Sequence, residues 1–293
     1  MTTKAATIFR YAMLMLAGAV FAFPVFWMLT TSVKTEAESQ KTILPSTVRI
    51  ANYTDAMAFE HGKPMPAREG EPAWLFALRT PFARQLVNTL IVGVLGTIGV
   101  LFAGSLAAYA FARLEWPGRD FFFTLTVSTM MVPFAVKLVP IYGMFRAIGW
   151  LDTLKPIWAG WFFGSGFTIF LLRQFFKGIP KQLTEAARID GCSEFGIYWR
   201  IVLPLAKPAL AAAGVFHFLY MWNDFFAPLV FLTQPEHFTL ALGLHQFQAT
   251  HGGGTPWTLM MAAASLMTAP VIALFFLTQT FFVRGVTMTG IKG

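Results

Sequence analysis

The side chains best equipped for chemistry in this 293-residue chain do not assemble into a catalytic set. Cys192 is the single cysteine, which excludes an internal disulfide and a paired-cysteine metal site. His237, His245 and His251 share one segment, but their spacing is too loose for a metal-ligating cluster. Nothing fits Gly-x-x-x-x-Gly-Lys-Ser/Thr, and Gly252-Gly253-Gly254 lacks the lysine that would reach a phosphate. Two other groups of residues carry the information.

The first group lies between positions 180 and 207. Glu185-Ala186-Ala187 is followed after three residues by Gly191, after nine more by Ile201, and then by Leu203-Pro204. This reads as a short helix starting after Pro180, a stop, and a second helix ending near Pro204. Gly191 suits the left-handed cap that ends a helix and reverses the chain. Ser193 suits the N-cap of the next segment. Ala186 and Ala187 are small enough for another surface to approach the backbone, and Glu185, Arg188, Asp190 and Glu194 offer it charge. Such an elbow is suited to plug into a groove on a partner.

The second group is polar residues within otherwise apolar runs. Lys137 and Asp224 each lie sixteen residues into a helix, counted from Phe121 and Pro208. At about 1.5 Å per residue both sit about 24 Å along, a depth that permits an ion pair or snorkelling to the interface. Asn88, His217, Asn223 and Gln279 are the remaining polar candidates. Trp222 and Phe225 flank Asn223, and an amide beside aromatic faces suits a polar solute with several hydrogen-bonding groups. The same groups equally suit interhelical hydrogen bonds.

The elements that must position these residues follow from composition. The chain is 56% hydrophobic and only 12% charged, with a mean hydropathy of +0.60. A soluble domain carries about 25% charged residues, so this chain reads as a membrane protein. Apolar runs of about 18 or more residues predict six membrane helices, at 11–33, 86–111, 121–145, 156–172, 208–232 and 257–283. They form one all-α polytopic domain over 1–293, with a long loop at 34–84 and a basic amphipathic loop at 173–207. The first run follows Lys4 and Arg10, exceeds a signal-peptide core and lacks a cleavage site, so it reads as a retained helix.

Loop 173–207 carries Arg173, Lys177, Lys181, Arg188, Arg200 and Lys207, whereas 233–256 carries no Lys or Arg. The positive-inside rule places 173–207 and both termini in the cytoplasm. Loop 34–84 is then external despite its seven basic residues. The net charge of +8 accords with contact with anionic lipid, and its scatter between apolar blocks argues against nucleic-acid binding.

The 185–204 pattern resembles, at every defining position and spacing, the EAA loop of ABC importer permeases. Asn88-Thr89-Leu90, Ala108–Arg113, Met131-Val132-Pro133, Leu172–Phe176, Trp222-Asn223-Asp224 and the terminal Gly290–Gly293 resemble the carbohydrate-uptake branch, similar to the smaller permease of the maltose importer. Cys192 departs from that branch, where many relatives carry alanine. The resemblance implies a heteromeric importer in a bacterial inner membrane. Its parts are a second, dissimilar permease, two ATPase subunits that bind ATP and magnesium, and an external solute-binding protein delivering a sugar-like solute. Carried onto this chain, Glu185, Ala186, Ala187, Asp190, Gly191, Ile201, Leu203 and Pro204 make the ATPase-coupling surface, and the tail 287–293 extends it. Asn88, Lys137, Trp222, Asn223 and Asp224 are the substrate-path candidates.

Two other readings are weaker on the residues. A stand-alone secondary transporter would carry more spans, repeated halves and several intramembrane carboxylates. A membrane enzyme would need a metal or nucleophile cluster, and none is legible.

Overall fold

The computed structural model describes residues 2–60, 63–249 and 256–287. In chain order its helices are α1 (Thr2–Ser32), α2 (Ala51–Met57), α3 (Ala73–Arg79), α4 (Pro81–Arg113), α5 (Arg119–Ser128) and α6 (Phe134–Ala147). They continue as α7 (Lys155–Trp158), α8 (Gly166–Gly178), α9 (Lys181–Ile189), α10 (Glu194–Ile197), α11 (Leu203–Leu205) and α12 (Lys207–Trp222). α13 (Phe226–Phe231), α14 (Leu240–Ala249) and α15 (Trp257–Thr287) complete them. The β structure among the described residues is one two-residue antiparallel pair, β1 (Phe59–Glu60) with β2 (Lys63–Pro64).

Among the described residues three helical stretches are long and apolar enough to cross a bilayer: Ala6–Ser32, Pro81–Arg113 and Trp257–Gln279. Two further stretches qualify as bent pairs. α5, with the 3-10 turn after it, meets α6 at 97°, and Glu194–Leu205 meets α12 at 77°. The segments 121–145, 156–172 and 208–232, each expected as one helix, are each divided, and the sequence explains where. Pro133 lacks an N–H and holds Val132 extended (φ −81°, ψ 112°), so α5 cannot run into α6. Gly164 (φ 85°, ψ 177°) occupies a region closed to other residues and separates Ala159–Phe163 from α8. Pro228 would clash with the residue-224 carbonyl in a continuous helix, and it sits instead in the first turn of α13.

The chain forms two compact units. In the unit of residues 1–84 and 243–272, α1 is apolar and exposed, with Phe21 81% accessible, which suits a lipid-facing rod. The stretch after it is pinned by Asn52, whose Nδ2 donates to the Ser32 and Lys34 carbonyls at 2.9 and 2.8 Å. Buried Lys34 donates to the Thr42 carbonyl at 2.6 Å and lies over the Trp27 ring. Glu36 accepts from the Trp257 and Thr258 backbone N–H groups at 3.0 and 3.2 Å, capping the α15 N-terminus with a negative charge. Ala56, Phe59, Phe247, Met260, Ala262 and Ala263 fill its core. Two short helices, α2 and α3, thus give loop 34–84 an ordered body.

In the unit of residues 85–242 and 273–293, α4 is the central rod. Gln85, Thr89, Val92, Val100, Ala108 and Phe111 are buried at spacings of three, four and eight, the stripe of a helix packed along its length. Glycines let aromatic rings meet its backbone: a Cβ on Gly93 would stand 2.9 Å from Phe218, and one on Gly96 3.3 Å from Trp161. One core gathers Tyr109, Leu172, Phe176, Ile197, Tyr198 and Val202. A second gathers Val92, Ile157, Met221, Leu232 and Leu242.

α8 packs against α5 through Gly166, where a Cβ would stand 2.8 Å from the Thr126 carbonyl oxygen and 2.9 Å from Met130. Gly143 of α6 has nothing within 4 Å. Gly166→Ala is expected to cost about 1–3 kcal/mol through overpacking, lowering the detergent melting temperature by several degrees. Gly143→Ala should leave it unchanged or raise it.

Candidate functional site

The elbow forms as two helices around a glycine turn. α9 ends in a Schellman arrangement: Cys192 N–H donates to the Ala187 carbonyl at 2.9 Å and Gly191 N–H to the Arg188 carbonyl at 3.0 Å. Gly191 takes φ 80°, and the space beside its α-carbon is open, so backbone conformation and not crowding requires glycine there. Ser193 Oγ accepts from Gly196 N–H at 3.2 Å and starts α10. A π-helical turn over Tyr198–Val202 and α11 bring the chain to the 77° bend into α12.

The elbow is lashed to the rods behind it. Glu194 accepts from Arg188 Nε and from the Tyr109 hydroxyl, each at 2.6 Å. The Arg188 guanidinium keeps the Glu194 carboxyl below the usual carboxylate range; burial opposes this and the Tyr109 hydrogen bond adds to it. Tyr198 and Ser105 share a hydrogen bond at 2.8 Å. Arg113, the last residue of α4, donates to the Phe176 and Ile179 carbonyls at the end of α8. Arg173 of α8 donates in return to the Phe111 carbonyl at 3.1 Å, with its guanidinium 3.7 Å over the Phe123 ring. Each helix end is closed by the other helix's arginine.

The far face of the elbow is open. Glu185, Ala186, Asp190, Gly191 and Pro204 are exposed, Ala187 is buried, and Ile201 and Leu203 are half-buried. Ile189 is 87% accessible, Phe195 66% and Trp199 59%. Exposed apolar side chains ringed by charge mark a surface for another protein. The sequence pattern located the turn but not this apolar trio, which has no fixed place in the motif.

The intramembrane candidates do not converge. Lys137 is exposed on α6, and no ion pair to Asp224 forms among the described residues. The equal-depth argument fails because both helices are broken. Asp224 instead accepts from Ala227 N–H at 3.3 Å and caps α13. Asn223 donates to the Leu219 carbonyl at 2.8 Å at the end of α12. Asn88 donates to the Glu236 and Phe238 carbonyls at 2.9 and 3.0 Å, an interelement tie. Trp222 is 1% accessible and belongs to the interior. A cavity of about 460 Å³ lies elsewhere, walled by Trp161, Phe167, Phe216, His217 and Tyr220. Of these the sequence singled out His217 alone.

Residues 99–288 match the family described as binding-protein-dependent transport system inner membrane component. The chain belongs to that family. It is a multi-pass inner-membrane permease of an ABC importer, a transport subunit and not an enzyme. It is 30% identical to the arabinooligosaccharides transport system permease protein AraQ of Bacillus subtilis (strain 168), over 95% of this chain and 93% of the relative. It is 35% identical to the sn-glycerol-3-phosphate transport system permease protein UgpE of Yersinia pestis bv. Antiqua (strain Antiqua), over 70% and 73%. Its fold matches a chain in the crystal structure of a bacterial ABC transporter involved in import of the acidic polysaccharide alginate. That match has a TM-score of 0.78 and 22% identity, over 96% of this chain and 98% of the other. A chain of a bacterial alginate ABC transporter in complex with an alginate pentasaccharide-bound periplasmic protein matches at TM-score 0.55 and 18% identity, over 70% and 79%.

The matched part of the permease holds the elbow, the arginine clasp and the cavity, and leaves out α1 and loop 34–84. The terminal motif Gly290–Gly293 and most of the tail 287–293 lie outside the described residues, as do His251 and Gly252–Gly254.

Removing one lashing should loosen the elbow without unfolding the rods. Glu194→Gln and Tyr109→Phe are each expected to cost about 1–2 kcal/mol locally, on the order of tenfold faster amide exchange over 194–202. Exchange within α4 should stay unchanged.

Proposed function

We propose that this permease forms part of the translocation path for a sugar and is driven, through its elbow, by ATPase subunits that bind ATP and magnesium. The observation that carries this reading is the exposed, charge-ringed surface at Glu185–Pro204, set on a turn that only glycine accommodates and tied rigidly to α4 and α8. The complete importer in this reading has this chain, a second and dissimilar permease, two ATPase subunits and an external solute-binding protein.

The six spans lie at about 11–33, 86–111, 121–145, 156–172, 208–232 and 257–283, three of them broken helices. Loop 173–207 and both termini are cytoplasmic, and loop 34–84 is external. Glu185, Asp190 and Gly191 face the ATPase, and Ile201, Leu203 and Pro204 brace the second arm of the elbow. The exposed trio Ile189, Phe195 and Trp199 adds the apolar area that a stable contact requires. Sugar is preferred as cargo because an arabinooligosaccharide permease is similar over nearly the whole chain. A phosphorylated solute would call for Arg or Lys along the path. Lys137 is the one such residue among the path candidates, and it lies exposed on α6.

Gly191→Asp and Glu185→Lys test the coupling role. Both variants are expected to insert normally, while ATPase co-purification and solute uptake fall by about tenfold or more. Normal uptake in both would remove the elbow from the mechanism.

A further inference from the structure

The elbow and its lashings leave the aromatic cavity unused. It is framed by Trp161, by Ser165 and Phe167 at the start of α8, and by Phe216, His217 and Tyr220 on α12. At about 460 Å³ it falls within the range of small-molecule sites. No Asp, Glu, Lys or Arg lines it.

Its polar groups are uncommitted. His217 is only 8% accessible, yet its Nε2 has no hydrogen-bond partner. Burying such an atom unpaired is costly, and native interiors seldom tolerate it. Ser165 sits at the N-cap of α8 but its hydroxyl makes no capping bond. Trp161, by contrast, is fixed: its Nε1 donates to the Ile157 carbonyl at 3.0 Å. Its ring lies 4.4 Å from that of His217 and 5.6 Å from that of Tyr220. Tyr220 is about half accessible and leaves aromatic surface open toward the cavity mouth.

Depth agrees with a transport site. His217 is ten residues into α12 from Lys207, and Phe167 is eleven residues before the end of α8 at Gly178. Both helices end at the elbow, so at about 1.5 Å per residue the cavity lies about 15 Å in, half the hydrocarbon thickness. Transport sites cluster at that midplane.

We infer that this cavity is the permease's own contact with its cargo, taking one neutral sugar ring. Trp161 and Tyr220 stack on the C–H faces, and the Ser165 hydroxyl bonds a ring hydroxyl. His217 Nε2, closed to solvent in this structure, bonds a second once its side chain turns toward the ring. Aromatic faces with a few polar groups and no formal charge fit a neutral ring better than a phosphate or a uronate. The inference rests on the importer reading above and places solute recognition in this subunit, at residues other than Trp222, Asn223 and Asp224.

The test uses the importer assembled with its partner subunits in proteoliposomes, with labelled arabinotriose, maltotriose and glycerol 3-phosphate as probes. Wild type should carry a neutral trisaccharide in preference to glycerol 3-phosphate. In His217→Leu and Tyr220→Leu the KM for that sugar should rise by about tenfold, with the rate at saturation largely kept. His217→Gln, which restores a hydrogen-bonding group, should recover most of the loss. An unchanged KM in both leucine variants overturns the cavity assignment, as does a lower saturating rate at unchanged KM, which marks packing against lipid or the second permease. Preference for glycerol 3-phosphate overturns the neutral-ring assignment. If an assembled wild-type complex carries none of the three, the sugar-importer reading falls and the assignment with it.

Discussion

The mutual closure of α4 and α8 by their arginines is the constraint from which the rest of this permease follows. The last carbonyls of a helix have no partner inside it, and in an apolar surrounding they need one. Arg113 supplies donors to the end of α8, and Arg173 supplies a donor to the end of α4. Two rods that complete each other's hydrogen bonds cannot separate cheaply. The elbow starts immediately after one of them and is tied to the other by Tyr109–Glu194 and Ser105–Tyr198. A push on its exposed face is therefore delivered to α4 and α8 together.

The interruptions of the helices lie elsewhere. The breaks at Pro133, Gly164 and Pro228 and the bend before α12 interrupt the backbone ladder at single residues. The break between α12 and α13 is locally patched: Asp224 caps α13, and Asn223 takes up the Leu219 carbonyl at the end of α12. Asn223 and Asp224, two of the solute-path candidates in the sequence, thus make that one break tolerable in a membrane. The cavity walls come from the segments beside these interruptions, so a moving α12 would carry His217 and Tyr220 with it.

What could be read from the sequence was whatever is encoded locally. The apolar runs marked the three long apolar helices, because crossing a bilayer needs consecutive apolar residues. Gly191 and Ser193 gave the elbow, because a left-handed cap and an N-cap each depend on one residue type. Lys137 and Asp224 misled, because equal spacing along two helices means equal depth only when both are unbroken. The arginine clasp and the cavity stayed hidden for another reason. Arg113 meets Phe176, and Trp161 meets His217, across more than fifty residues, with no periodicity to announce either encounter.

Cys192, exposed one residue beyond the elbow's turn and the chain's single cysteine, reports on the central claim. The measurement is its labelling by a membrane-impermeant maleimide in inside-out vesicles, with and without the ATPase partner. The account predicts fast labelling of the permease without its ATPase, and about tenfold slower labelling once the ATPase is docked, because a covered thiol is inaccessible. Equal rates with and without the ATPase, or labelling from the external face of intact cells, would contradict it.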